Sequence, residues 1–352
     1  MAAFPTNAEL IDSDFLSEVL GVSVSGFSSK PIGAGLVGDS ARISLEYAEI
    51  GAGPTSIAAK FPADDATSRG TAVSMQLYEK EVGFYRNIAP HISTRTPASY
   101  FAQHDPESDD FLLLMEDCGP SEQGDQLTSC SVDQAKVAVC ELARLHGPTF
   151  ENTALLNLPF LRPNDQVRAF AAAGYPGASE AFGNFYGGKI HPDLLQHICQ
   201  LGDHSAQIFT SDAPAGPCVI HGDFRLDNIL FSIGDGAEPM ATLDWQTISL
   251  GDPLTDLGYF MGAGIGSALR RANEDVLLEL YRAELIVNGG PDLGEIRKAD
   301  GYARGALHGI TTAVFSAAFV EHTDRSEAIF QSMAEGAGEL ARDLDAMRVL
   351  EN

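Results

Sequence analysis

Hydrophobic and polar positions follow two different patterns along the chain. Residues 8–20 carry apolar side chains at three- and four-residue spacing, which is typical of a helix, and residues 22–45 then alternate as a strand does. Residues 40–49 and 55–61 each indicate one strand, and the turn-forming residues 51–54 separate them. The pattern predicts an antiparallel hairpin.

Helical spacing dominates after this first third. Residues 68–88 predict a helix and residues 111–115 a further strand. The later helical segments are 132–146, 194–209, 275–287 and 327–350. Three short apolar runs, 218–220, 229–233 and 240–243, interrupt them and predict short strands, beside which functional loops are often placed.

Composition and charge limit the possible functions. The chain has 352 residues, 44% of them hydrophobic, and is long enough for a small lobe beside a larger one. It has 22 Lys and Arg against 49 Asp and Glu, and this net charge of -27 disfavours nucleic acid as a partner. An anionic ligand therefore needs local cations, metal ions or backbone N–H groups.

The cysteines and the chain's first residues bear on the compartment. Five scattered cysteines without a C-x-x-C pair favour reduced thiols rather than disulfides or a zinc site. The first residues lack a basic stretch followed by an apolar one, and no segment has the apolar length of a membrane span. We expect a cytoplasmic protein with no membrane partner.

The densest group of polar side chains lies among the three predicted short strands. Asp223 and Asn228 stand in one loop, and Asp244 begins the next. A carboxylate that accepts a hydroxyl proton and oxygen ligands for magnesium are what phosphoryl transfer requires of a protein. Asp and Asn beside Gly also form ordinary turns, which is the alternative interpretation.

The amino-acid sequence of these loops resembles that of a known superfamily. His221-Gly-Asp-x-x-x-x-Asn, followed by Leu243-Asp-Trp, is similar to the aminoglycoside phosphotransferase and choline kinase superfamily. With Gly251-Asp-Pro-Leu-Thr-Asp-Leu, it looks most like the ecdysteroid-kinase-like branch. The resemblance implies a bilobal α+β, protein-kinase-like fold with a small antiparallel-sheet lobe (1–115), a connector (116–119) and a large, mainly helical lobe (120–352).

The resemblance also implies roles for these residues. Asp223 would be the catalytic base, and Asn228 and Asp244 would bind Mg2+. Asp256 would support the catalytic loop, and His221 would be a structural part of it. The cofactors would be ATP and Mg2+, and the partner a small-molecule acceptor.

A kinase-like small lobe needs a lysine for the α- and β-phosphates and a helical glutamate that positions it. Lys60 and Glu81 resemble this pair, with Glu79 as the competing glutamate. A solvated strand end and an exposed helix residue are the plainer interpretation.

Two further segments fit the same scheme. Gly33, Gly35 and Gly38 match G-x-G-x-x-G before a strand rather than a helix, which indicates a phosphate lid, or else a plain hairpin turn. Glu116, Asp117 and Cys118 follow a predicted strand and resemble the connector that binds adenine through its backbone.

Other hypotheses remain open from the sequence. The chain is alternatively a non-catalytic nucleotide-binding relative, or a kinase acting on an amine acceptor. Arg225 and Asp227 stand inside the loop where many relatives have small or aromatic residues, and Arg225 either compensates a carboxylate or contacts phosphate. Leu142, Leu145 and His146 are interpreted as core residues.

Overall fold

The computed structural model describes residues 4–33, 37–49, 51–162, 164–209 and 214–351. Its internal contacts divide the chain into two units. The first comprises Met1–Pro90, Thr96–Pro120 and Leu243–Thr247, and the second His91–Arg95, Ser121–Thr242 and Ile248–Asn352. Two short segments therefore belong to a different unit from the residues on either side of them in sequence.

The first unit is built on an antiparallel sheet. Its strands are β1 (Val24–Pro31), β2 (Gly38–Tyr47), β3 (Ser56–Pro62), β4 (Ser99–Asp105) and β5 (Asp110–Glu116), in the order β1-β2-β3-β5-β4. Its helices are α1 (Ser13–Leu20), α2 (Ala66–Ser74) and α3 (Leu77–Gly83), and a π-helical turn, Phe84–Ile88, extends α3. The predicted hairpin is confirmed, since β2 and β3 pair antiparallel with Ser40 opposite Lys60.

Alternation along β2 explains how this sheet builds a core. Ala41, Ile43 and Leu45 are buried, whereas the residues between them are exposed. Leu16 of α1 packs into the same apolar cluster. One face of the strand is therefore buried and the other exposed, as a period of two requires.

Two predicted helices are interrupted in the structure. The first divides into a 3-10 turn, Ala8–Leu10, and α1, because the side chains of Asn7 and Asp12 each cap a separate start. The second divides into α2 and α3 at Gln76, whose φ of 59° lies in the left-handed region. The apolar spacing alone does not reveal these two breaks, because local hydrogen bonding and backbone conformation cause them.

The second unit is mainly helical. Its α-helices longer than four residues are α4 (Val132–Thr149), α5 (Asp165–Tyr186), α6 (Pro192–Gln200), α7 (Pro253–Tyr259), α8 (Ser267–Val287), α9 (Asp300–Phe319) and α10 (Asp324–Asp343). Its strands are β6 (Glu122–Gln123), β7 (Cys218–Ile220), β8 (Ile229–Ser232), β9 (Glu238–Thr242) and β10 (Ser249–Gly251). These form two small antiparallel sheets, β10-β7 and β6-β8-β9. The α+β class is confirmed.

Helix α7 lies against α9 at a close backbone approach. A Cβ on Gly258 would lie 2.5 Å from the carbonyl oxygen of Tyr302 and 2.8 Å from the Cα of Gly305. A Cβ on Gly305 would lie 2.7 Å from the Cα of Gly258. The two glycines therefore permit a separation that any larger residue would increase.

This contact generates a stability prediction. Gly258→Ala places a methyl group against backbone and is expected to lower the free energy of unfolding by about 1–3 kcal/mol, as overpacking does. The measurement is urea unfolding followed by circular dichroism.

Gly174→Ala is the matched control, because this helical glycine of α5 has no heavy atom within 4 Å of its added Cβ. It is expected to be neutral or to stabilise by about 0.5–1 kcal/mol. Equal midpoints for the two variants would contradict the close packing of α7 on α9.

Candidate active site

The predicted site residues fall in both units. In the first unit, Lys60 lies on β3, which has β2 and β5 as neighbours. Its Nζ lies 2.7 Å from Oε2 of Glu81 and 2.9 Å from Oδ1 of Asp244. The structure therefore brings Lys60, Glu81 and Asp244 together.

Helix α3 turns Glu81 rather than Glu79 toward the lysine. Leu77, Glu81 and Tyr85 are buried at four-residue spacing, and Glu81 is 2% exposed. The carboxylate of Glu79 instead accepts a bond of 3.4 Å from Gln76. Helical periodicity thus separates the two candidates.

The ammonium of Lys60 is strongly held as a cation. Burial alone would lower its pKa, but the charges of Asp244 and Glu81 and the bonds to them outweigh burial, so the pKa of Lys60 is raised above 10.5. The cation therefore stays charged throughout the physiological range. It is the partner of two carboxylates.

Asp244 is held in a constrained conformation. Its φ of 61° lies in the left-handed region, which is uncommon for a residue other than glycine. The next residue, Trp245, is fully buried, stacks on Phe84 with ring centroids 3.8 Å apart, and donates a 2.9 Å bond to Thr96. Gln246 donates to Oδ2 of Asp244 at 3.2 Å. The packed tryptophan fixes the backbone that directs the carboxylate to Lys60.

Of the three predicted glycines, Gly33 follows β1 and Gly38 begins β2, and these two strands pair antiparallel. Gly33 has a φ of 71°. A Cβ on Gly38 would lie 3.0 Å from the carbonyl oxygen of Phe61, so this glycine permits the close approach of β2 to β3. Gly35 lies outside the described residues.

The connector candidates follow β5. Asp117 accepts bonds of 2.6 and 3.0 Å from Arg42 and one of 2.7 Å from Ser56. Although partial burial opposes ionisation, these bonds lower the pKa of Asp117. Glu116 ends the strand, and Cys118 is buried. The side chain of Asp117 thus braces the connector against the sheet.

In the second unit, the predicted catalytic loop joins β7 to β8. Asn228 donates to the backbone oxygen of Asp223 at 2.9 Å and to its Oδ2 at 3.0 Å. Tyr259 donates a 2.5 Å bond to Oδ1 of Asp223. The structure therefore brings Asp223 and Asn228 together.

Arg225 lies between two carboxylates of the same loop. Its Nε donates to both oxygens of Asp223 at 3.1 and 3.2 Å, and its Nη1 donates to Asp227 at 2.5 Å. Burial would lower its pKa, but Asp223, Tyr259 and Asp227 raise it further above 12.5. In this structure Arg225 compensates carboxylates, the first of its two hypothesised roles.

Asp256 holds the backbone of the loop. Its fully buried carboxylate accepts the N–H of His221 at 2.6 Å and that of Gly222 at 2.9 Å. Nε2 of His146 lies 3.2 Å from the same carboxylate, and Tyr281 lies 2.8 Å from Nδ1 of His146. Burial opposes ionisation of Asp256, but His146, His221 and the Gly222 N–H lower its pKa below 3.8. His146 is therefore a core residue, as predicted, but one with a polar partner.

Asn228 in the second unit and Asp244 in the first each carry a side-chain oxygen. Both donated bonds of the Asn228 amide use its nitrogen, so its oxygen has no donor among the described residues. The side chain of Asp244 is 31% exposed. Both are hard oxygen ligands of the kind magnesium takes. Across the described part of the chain, no three His, Cys, Asp or Glu side chains are grouped so as to hold a metal.

Tyr259 and His308 are contacts that the sequence analysis missed. His308 lies 2.9 Å from the backbone oxygen of Gly222, and Tyr259 contacts Asp223 from three residues beyond Asp256 on α7. The spacing of Asp256 and Tyr259 was a usable signal for Tyr259, since residues at i and i+3 share one helix face. No comparable motif marks His308.

A sequence model of the ecdysteroid kinase-like family matches residues 33–288, well over half of the chain. The chain belongs to the ecdysteroid kinase-like family. Curated sequence matches are short: acyl-CoA dehydrogenase family member 10 of Mus musculus is 51% identical over 41 residues, which cover 12% of this chain and 4% of that protein. That match spans only a small part of the relative's length.

Several solved structures share the fold of this chain. Choline kinase from Cryptosporidium parvum Iowa II superposes with a TM-score of 0.55 at 11% identity, covering 98% of this chain and 96% of that one. Spectinomycin phosphotransferase, in complex with ADP and spectinomycin, gives 0.50 at 13% identity, covering 96% and 99%. The predicted protein-kinase-like fold of this ecdysteroid kinase-like chain is confirmed. None of its described helices is long and apolar enough to span a bilayer.

The lysine cluster generates a stability prediction. Lys60→Met leaves the buried carboxylate of Glu81 without its cation and is expected to lower the free energy of unfolding by about 3–5 kcal/mol. The double variant Lys60→Met/Glu81→Gln removes the uncompensated charge and is expected to recover part of this loss. Urea unfolding measures both.

Lys30→Met is the matched control, because Lys30 is an exposed lysine of the same sheet. Its effect is expected within about 0.5 kcal/mol, as for surface substitutions. A double variant less stable than Lys60→Met would contradict the burial of an unpaired Glu81 as the cause.

The low pKa of Asp256 generates a pH prediction. Its folded-state pKa lies below the ordinary 3.8, so ionised Asp256 stabilises the fold above about pH 4, and this contribution is lost as the pH falls through the folded value. The thermal midpoint of Asp256→Asn is expected to lie below that of the unaltered chain at pH 7. The gap is expected to narrow only below about pH 4.

Thermal unfolding of both proteins from pH 7 to pH 3 measures that gap. Asp133→Asn serves as control, because its side chain is 90% exposed, and is expected to leave the midpoint nearly unchanged. A gap for Asp256→Asn that stays constant down to pH 3 would refute the ionised carboxylate as its source.

Proposed function

We propose that this protein is a small-molecule kinase that transfers the γ-phosphoryl group of ATP, with magnesium, to a hydroxyl group. The observation that carries the proposal is the loop pairing of Asp223 with Asn228. It offers a carboxylate for a hydroxyl proton and, beside it, an amide oxygen without a donor among the described residues. Family membership and the fold support the same class of reaction.

Asp223 acts as the catalytic base in this proposal. The acceptor oxygen forms a bond to the γ-phosphorus, the bond from that phosphorus to the bridging oxygen of ADP breaks, and the hydroxyl proton passes to the carboxylate of Asp223. The hydrogen bonds to Asp223 hold the carboxylate still for this transfer. Proximity and orientation supply much of the catalysis in phosphoryl transfer.

The first unit supplies the proposed phosphate contacts. Lys60, positioned by Glu81, contacts the α- and β-phosphates, and the segment with Gly33, Gly35 and Gly38 covers them. Glu116, Asp117 and Cys118 bind the base through their backbone. The presence of ADP in the spectinomycin phosphotransferase structure supports nucleotide binding by this fold.

Asn228 and Asp244 are the proposed magnesium ligands. When bound, magnesium neutralises charge on the transferring phosphates. Water and phosphate oxygens would complete its coordination, because magnesium usually keeps few protein ligands. The acceptor is a small molecule, whose chemical class the following experiment identifies.

The test is ADP release from MgATP, measured with the full chain over a panel of small alcohols and amines. The unaltered protein is expected to release ADP in response to an alcohol. Asp223→Asn is expected to lower the turnover rate by at least about a hundredfold, as loss of a general base does. Asp203→Asn, an exposed carboxylate of the same unit, is the control that keeps full turnover.

Three outcomes would count against parts of this proposal. Acceptor-dependent ADP release that persists in Asp223→Asn would remove Asp223 as the base. A response to amines alone would replace the hydroxyl acceptor. Binding of MgATP in a calorimeter without turnover for any acceptor would favour a non-catalytic nucleotide-binding protein.

A further inference from the structure

We propose that Tyr259 is a positioning residue for Asp223, and that it fixes the carboxylate so that one acceptor site faces the substrate hydroxyl. This inference rests on the proposed function. Its basis is the hydrogen bond of 2.5 Å from the Tyr259 hydroxyl to Oδ1 of Asp223. That length is typical of a hydroxyl that donates to an ionised oxygen.

The donors around Asp223 leave limited room for a substrate. A carboxylate has about four acceptor sites. Tyr259 donates to Oδ1, Asn228 donates to Oδ2, and the single N–H at Nε of Arg225 is shared between the two oxygens. The chain therefore takes at least three of the sites and leaves at most one for the acceptor hydroxyl. The side chain of Asp223 is 22% exposed, so this site is accessible.

Tyr259 differs from the other two donors in its origin. Arg225 and Asn228 belong to the same loop as Asp223, whereas Tyr259 belongs to α7. On that helix Asp256 holds the backbone N–H groups of His221 and Gly222 three residues earlier. One face of α7 therefore fixes both the backbone of the loop and the orientation of its carboxylate.

Helix α7 is closely packed where Tyr259 lies, and the Tyr259 hydroxyl stays protonated. Tyr259 is fully buried, and a Cβ on the preceding Gly258 would lie 2.5 Å from the carbonyl oxygen of Tyr302 on α9. Burial raises the pKa of Tyr259, and the charge of Asp223 raises it further. The phenol therefore keeps its proton at neutral pH and acts as the donor in its bond to Asp223.

The experiment removes the hydroxyl alone. Tyr259→Phe is expected to lower the rate of ADP release from MgATP by about ten- to a hundredfold, the value of a hydrogen bond to a charged group. The assay uses the acceptor that the alcohol panel identifies, or water when none responds. Calorimetric binding of MgATP is expected to be unchanged, because Tyr259 contacts the base rather than the nucleotide.

Tyr302→Phe is the matched control. Tyr302 is also fully buried in the second unit, and its hydroxyl donates a 2.8 Å bond to the buried carboxylate of Glu274. Both variants lose one buried bond to a carboxylate, so their thermal midpoints are expected to fall by similar amounts. The rate of ADP release is expected to fall in Tyr259→Phe alone.

A double variant separates positioning from a general structural effect. If Tyr259 acts through Asp223, Tyr259→Phe lowers the single-turnover rate in the unaltered chain but not in the Asp223→Asn background. An equal loss in both backgrounds, or a rate equal to that of Tyr302→Phe, would overturn the positioning role and leave the proposed kinase intact. A chain that neither binds MgATP nor releases ADP would overturn the proposed function and this role with it.

Discussion

The conformation of the loop that carries Asp223 depends on one buried charge, the carboxylate of Asp256. Burying an ion is strongly unfavourable unless its acceptor sites are filled. Here two consecutive backbone N–H groups and the ring of His146 occupy three of them. Satisfying this carboxylate requires the residues before Asp223 to adopt one conformation. The position of the candidate base is therefore a consequence of how a buried charge is compensated.

This constraint extends into the helical core through α7. Gly258 permits α7 to approach α9 at backbone distance, and Asp256 and Tyr259 lie on the turn on either side of that glycine. The loop is thus hydrogen-bonded to a helix that itself has little freedom to shift. A loop with few backbone hydrogen bonds of its own takes its precision from helix packing.

Sequence identified most of the side chains that the structure brings together within each unit, and fewer of the residues that hold them in place. The loop motif and the pattern around Lys60 identified residues that the structure places together, because strand and helix periods fix which side chains share a face. Helices α5 and α9 were not predicted. Glycines at 301, 305 and 309 weaken helix propensity, and the half-exposed polar stripe of α9, formed by Arg304, His308 and Thr312, is narrow beside its buried apolar residues. Tyr259 was missed because its partner stands 36 residues away in the chain.

The charges around Lys60 and the net charge of the chain affect how an anion can bind. Lys60 is bonded to two carboxylates, Glu81 and Asp244, so this cluster carries one positive and two negative charges. The overall charge of -27 adds to the repulsion that a nucleotide meets at long range. A lone lysine already shared in this way is a weak anchor for polyphosphate. In the proposed function the same carboxylates would be useful when a divalent cation accompanies the phosphates, because Asp244 would then have a partner of higher charge than Lys60. The excess of carboxylates is thus the electrostatic reason to expect binding of the metal–nucleotide complex in preference to the free nucleotide.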